Sequence, residues 1–361
     1  MRSLQPVLAA IALATGGLAI GCLLVEGLAR VLTPAAGDLR GLHELRPDRP
    51  WLYGLVPSSV HRLRATGDIT YAINADGFRD RPRSPRPAEG TFRIVVLGDS
   101  VAFGYGVAQD DTFPSQLERA LSATSPVPVE VLNLGVNGYN PYTEAALFAD
   151  VGRHYAPALV LVQFCVNDLA DPTLHFDAST LLALRADALP DAAFPEPRTR
   201  RREPPPPAWL RACLRSRACA FVHRAFAAGQ DPAVLAAALA PREDPSGTEL
   251  SWLQRHYDAI QQAAAPVPVA IVVFPYAGQL DATGTPRLQE RLLALGRVSG
   301  RLTIDLLPAF REAARAGEAL FLDAWHPSAR GHGVAAATVA DQLACAGLVP
   351  ASPRAGACPS R

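Results

Sequence analysis

The chain contains no lysine, so its 34 Lys/Arg positions are all arginine, and its one methionine is Met1. With abundant Ala, Pro and Arg, this is the mark of a GC-rich genome rather than of a function. Charge of one sign is also lacking. Acidic and basic side chains balance to a formal net charge of +0, which excludes a general nucleic-acid binder with a basic face over the whole domain. The six cysteines include no Cys-x-x-Cys pair and no Cys/His spacing suited to zinc. No Gly-x-Gly-x-x-Gly follows a predicted strand and no P-loop is present. Gly104-Tyr105-Gly106 stands in the wrong context for phosphate binding. Neither cofactor nor metal is therefore expected, and no internal repeat is evident.

A long apolar run is present. Residues 6–25 carry no charge, which is long enough to span a hydrocarbon core as a helix. Because the run stays apolar past Cys22, an uncleaved signal-anchor fits better than a cleaved secretory signal. The expectation is a single-pass membrane protein, with residues 1–32 as anchor and the main domain outside the cytoplasm. Outside the cytoplasm, Cys213/Cys219 and Cys345/Cys358 can form two local disulfides. Unpaired thiols are the other reading.

Residues 33–90 are rich in Pro, Gly and Arg and read as a linker and irregular lead-in, with a strand near 69–73. The pattern then changes. Residues 92–97 (FRIVVL), 129–134, 158–164, 267–274 and 302–306 are short, β-branched, nearly unbroken apolar runs. Such runs suit strands covered on both faces, hence a parallel sheet. Helix-length segments at 113–122, 142–155, 249–264 and 286–298 alternate with them, which indicates a doubly wound α/β domain over 91–347. In such sheets the site lies at the carboxyl ends of the strands. An interval of about 171–248 breaks the alternation and reads as a lid, a binding element or a solvated insert. Residues 348–361 form a tail.

The chemistry sits at the strand ends. The first strand runs into Gly98-Asp99-Ser100, the second into Asn133-Leu134-Gly135-Val136-Asn137-Gly138, and the third into Cys165-Val166-Asn167-Asp168. After the last strand comes Asp323-Ala324-Trp325-His326-Pro327. A glycine before Ser100 lets the backbone turn sharply. A serine hydroxyl needs an adjacent base to act as a nucleophile, and His326 with Asp323 three residues earlier suits that role. Asp99 and Asp168 read as capping or turn residues. His332 reads as part of the last helix, while His154 and His256 read as surface or boundary residues.

In this order, the four blocks resemble those of the SGNH (GDSL) hydrolase superfamily over about residues 70–345. Ile73-Asn74-Ala75-Asp76-Gly77-Phe78-Arg79 is similar to the lead-in of bacterial membrane-associated members. The resemblance implies a three-layer, flavodoxin-like sandwich around a central parallel sheet of about five strands. It further implies Ser100 as nucleophile, His326 as base and Asp323 as its partner. The oxyanion donors would be the backbone N–H groups of Ser100 and Gly138 and the side-chain amide of Asn167, with Gly135 as the fallback for Gly138. The expected activity is ester hydrolysis through an acyl-enzyme, on an acylated envelope carbohydrate or a lipid-derived ester. Acyl transfer to a glycan uses the same residues. A non-catalytic glycan-binding or scaffold module would have no need of all three.

Overall fold

The computed structural model describes residues 41–46, 48–63, 68–169, 244–281 and 286–358, with helical positions 13, 15–17, 20, 21 and 23–27 before them. The expected span over residues 6–25 lies largely outside the described residues. Among those described, no helix is long and apolar enough to cross a membrane. Most of the insert over 171–248, with Cys213 and Cys219, also lies outside them.

Four short strands come first: β1 (His43–Leu45), β2 (Tyr53–Leu55), β3 (Val60–Leu63) and β4 (Ile69–Ala72), paired as the antiparallel hairpins β1–β2 and β3–β4. The segment expected to be irregular is thus packed. Leu42, Trp51, Tyr53, Leu55, Tyr71 and Phe78 are all buried in the core. Trp51 and Arg49 both reach Asp150.

The apolar runs then form β5 (Phe92–Leu97), β6 (Val129–Asn133), β7 (Leu159–Phe164), β8 (Val269–Val273) and β9 (Thr303–Asp305). They build one parallel sheet in the order β6-β5-β7-β8-β9. Strand β7 is buried at every position, as a strand covered on both faces requires. Each Leu, Ile or Val so buried contributes roughly 1.5–3 kcal/mol.

Between and after these strands lie α1 (Ser100–Phe103), α2 (Phe113–Ser122), α3 (Pro141–Asp150), α4 (Gly247–Ala264), α5 (Arg287–Ser299), α6 (Leu307–Arg315) and α7 (Ala329–Cys345). Helix α2 packs on α7, and α3 packs on α4, giving three layers. The helix starts follow local chemistry. Asn140 with Thr143 and Ser246 with Glu249 form reciprocal caps, and Ser328 caps α7. A disulfide joins Cys345 to Cys358, with a Cα–Cα distance of 5.6 Å, and fastens the tail to the end of α7. The strand order reverses direction at β5 and β7, the switch point where open α/β sheets bind their ligands. Ser100 follows β5 there, and Asn167 follows β7.

Candidate active site

Strand β5 ends at Leu97, and the chain turns through Gly98 and Asp99 into α1. A Cβ on Gly98 would stand 2.4 Å from Gln163 Oε1 and 2.7 Å from the Ala102 Cβ, so only glycine fits the turn. Asp99 caps α1 by accepting the Val101 N–H at 2.8 Å. Gln163 Oε1, on β7, accepts the N–H groups of Asp99 at 3.1 Å and Ala102 at 3.2 Å. This side chain is fully buried and pins both sides of Ser100. Gly104, at φ 85°, ends the helix, and its N–H returns to the Ser100 carbonyl.

Beyond the helix the loop folds around Arg79, which is 0% exposed. Its guanidinium donates to the carbonyls of Phe103 (3.1 Å), Gly104 and Val107 (2.6 Å) and lies over the Tyr71 and Phe103 rings. Burial lowers its pKa to about 10, against a smaller opposing effect from Tyr71. The Asn74–Phe78 turn delivers it: Asn74 Oδ1 accepts from the N–H groups of Asp76 and Phe78.

Asp323 and His326 come from the loop between α6 and α7, which an isolated bridge between Phe321 and Pro327 closes. One oxygen of Asp323 accepts the N–H groups of Trp325 and His326, both at 2.8 Å. The other lies 2.8 Å from His326 Nδ1, and His326 Nε2 lies 2.9 Å from Ser100 Oγ. The structure therefore brings Ser100, His326 and Asp323 into one hydrogen-bonded line. Burial alone would raise the Asp323 pKa, but the imidazole and the two backbone N–H groups outweigh it and hold the carboxyl down at about 2. An ionised carboxylate only accepts, so Nδ1 carries a hydrogen and Nε2 is the ring nitrogen left facing the serine hydroxyl. The Tyr105 ring packs on the imidazole at 4.4 Å between centroids.

The loop after β6 completes the cleft. Gly135 lies flat on α1: a Cβ there would be 2.5 Å from the Phe103 nitrogen. Its own N–H donates to Asn133 Oδ1 at 3.0 Å. Gly138, at φ 78°, has an N–H with no partner among the described residues, as does Ser100. Asn167 lies in the 3₁₀ turn Val166–Leu169, and its side chain falls outside the described residues.

Three carboxyls are fully buried behind these turns: Asp99, Glu144 and Asp168. Burial first, then repulsion from Asp99, raises Glu144 well above the usual carboxylate range. Burial, Glu144 and Asp99 do the same for Asp168. Asp168 accepts the Cys165 N–H at 3.0 Å and so holds the turn that carries Asn167. Sequence reasoning missed Gln163, although its signal was present: one amide in an otherwise apolar strand. His332 is fully buried in α7, and His256 is packed between Trp252 and Tyr142.

A sequence model of the GDSL-like lipase/acylhydrolase family matches residues 96–334. The chain belongs to this family. Membership makes it a hydrolase, and in general terms an esterase. No curated protein matches the chain. Among solved structures, one similar fold is a member of the lipolytic protein G-D-S-L family from Veillonella parvula. It is 13% identical, with 68% of this chain and 94% of that one covered and a TM-score of 0.37. Another is an acetylxylan esterase from Geobacillus stearothermophilus, 12% identical, with 70% and 94% covered and a TM-score of 0.41. At these values the likeness carries no argument about substrate.

Proposed function

We propose that this GDSL-family chain is a serine esterase that cleaves carboxylic esters through an acyl-enzyme on Ser100. The observation that carries the reading is the line from Ser100 Oγ to His326 Nε2 at 2.9 Å and from His326 Nδ1 to Asp323 at 2.8 Å. As Oγ attacks the acyl carbon, Nε2 takes the hydroxyl proton, and the ionised Asp323 stabilises the imidazolium that forms. The carbonyl oxygen, now negative, meets the N–H groups of Ser100 and Gly138; the family resemblance implies the Asn167 amide as a third donor. The Ser100 N–H belongs to the first turn of α1 and has no acceptor within the helix. Gly138 suits the second place because the Gly135 N–H already serves Asn133. Collapse expels the alcohol, which leaves with the proton from His326. Water, deprotonated by the same imidazole, then attacks the acyl-enzyme and releases the acid and Ser100.

The substrate in this reading is an acylated carbohydrate or a lipid-derived ester at the bacterial envelope. Residues 6–25 anchor the chain in the cell membrane, with the catalytic domain outside the cytoplasm. The Cys345–Cys358 bridge supports that placement, because disulfides persist in oxidising compartments. Protease accessibility of the domain in intact spheroplasts tests it, and protection from protease contradicts it.

The activity is tested by p-nitrophenol release from acetate to octanoate esters by the full chain in detergent, beside Ser100→Ala. Turnover that vanishes in the variant supports the esterase. A folded wild type that labels with a serine-reactive probe but hydrolyses none of these esters shifts the reading to acyl transfer onto a glycan. Absence of both reactions leaves a binding module.

A further inference from the structure

The hairpin β1–β2 precedes the family-matched residues, yet it reaches the candidate site through one side chain. The Tyr53 hydroxyl, on β2, donates to the Asn137 carbonyl at 3.1 Å. That carbonyl belongs to the same peptide unit as the Gly138 N–H. We infer that Tyr53 is a positioning residue that locks the Asn137–Gly138 peptide with its N–H facing the acyl oxygen. The inference rests on the esterase reading above, with Gly138 as an oxyanion donor.

The local geometry makes the lock necessary. Tyr139 N–H donates to the Val136 carbonyl at 3.0 Å, so residues 136–139 form a β-turn. Gly138 has φ 78° and Asn137 has no positive φ, which defines type II. Types I and II differ chiefly by a flip of the central peptide, here Asn137–Gly138. C=O and N–H point opposite ways across a trans peptide, so the flip would turn the Gly138 N–H around. A donor on the Asn137 carbonyl holds one of the two states and polarises the peptide, strengthening the N–H as donor.

Tyr53 is itself firmly placed. It is 2% exposed, its ring meets Tyr139 edge-on at 5.0 Å, and its carbonyl accepts the Tyr139 hydroxyl. Burial, with Tyr139 and Asp99 nearby, pushes its phenol well above the ordinary value, so it stays protonated and able to donate.

The test is steady-state ester hydrolysis and fluorophosphonate labelling of Ser100 by the full chain in detergent, for Tyr53→Phe, Gly138→Ala and the double variant. Tyr53→Phe should lower kcat roughly three- to tenfold, the rate equivalent of one hydrogen bond. KM should stay within about twofold and the labelling rate should fall in step with kcat, since a donor acting on the developing oxyanion changes kcat rather than binding. In the Gly138→Ala background, where the turn is already disturbed, the same change should have little further effect. Tyr139→Phe, which loosens Tyr53 without removing its hydroxyl, should lose less than Tyr53→Phe.

An unchanged kcat in folded Tyr53→Phe, an equal loss in both backgrounds, or a larger loss in Tyr139→Phe would overturn the assignment. If Ser100 labels normally while Tyr53→Phe also labels at the wild-type rate, the positioning role alone falls. If wild-type Ser100 neither labels nor turns over ester, the esterase reading falls and takes this inference with it.

Discussion

The two sides of the site are built differently. Ser100 stands on a turn fixed from beneath by fully buried side chains: Gln163 under the turn, Asp99 at the helix start and Arg79 under the following loop. His326 and Asp323 stand on a loop held mainly by hydrogen bonds within residues 320–328 and by the Ala324 carbonyl, which accepts the Ala277 N–H at 3.0 Å, with side chains 18% and 45% exposed. The Ser100 side is part of the core, so changes there should cost stability as well as rate. The His326 side is attached to the core, so changes there should cost rate alone.

The sharpest test of that contrast is Asp323→Asn. Losing the carboxylate leaves the imidazole without its tautomer-setting partner, and kcat should fall roughly 10⁴-fold. The melting temperature should stay within a degree or two, because the half-exposed carboxylate is worth little to folding. A drop of many degrees in differential scanning fluorimetry would put the His326 side in the core as well.

Gly98→Ala should do the opposite. Its Cβ would meet Gln163 Oε1 at 2.4 Å, so either the amide or the turn must move. The expected result is roughly 100-fold lower kcat together with a clear loss of stability in urea. Next comes Gln163→Leu, which keeps the volume but leaves the N–H groups of Asp99 and Ala102 without their acceptor. A buried unmet group costs about 1–3 kcal/mol, so unfolding should shift by a few kcal/mol and kcat fall roughly tenfold. Loss of rate without loss of stability would break the comparison.

The effect that is smallest at neutral pH concerns acid stability. Burial first, then the charges of Arg79 and His326, lower the His332 pKa from 6.5 to about 3. Between those values the unfolded chain binds the proton and the folded chain does not. His332 therefore withdraws stability as pH falls from about 6.5 towards 3, at up to about 1.4 kcal/mol per pH unit. Glu144 and Asp168, raised in the fold, act with the opposite sign, so the comparison must be between variants. The melting temperature of His332→Gln should gain on wild type as the pH is lowered through this window. Parallel curves would contradict the assignment.

The sequence made the strongest elements legible because their signals are local. The apolar runs of β5 to β8 mark a parallel sheet without reference to anything distant, and the four strand-end blocks carry the family. Ser100, Asp323 and His326 could be named because each lies inside such a block. The hairpins β1–β2 and β3–β4 were not legible, apart from the strand near Ile69, since three- and four-residue strands hold too little periodicity to read. Gln163 and Tyr53 escaped for another reason. Gln163 meets its partners 61 and 64 residues away, and Tyr53 meets its own 84 residues away. The lone amide in β7 marks Gln163 as unusual, but nothing in the neighbouring sequence names its partners, and nothing marks Tyr53 at all.

The central claim is that Ser100 is a nucleophile activated by His326. Its most direct test is intact-protein mass spectrometry of the full chain after exposure to a fluorophosphonate, with peptide mapping, for wild type, Ser100→Ala and His326→Ala. The account predicts one phosphonyl adduct on Ser100 in wild type, none in Ser100→Ala and very slow labelling in His326→Ala. An adduct on another residue, or labelling of His326→Ala at the wild-type rate, would contradict it.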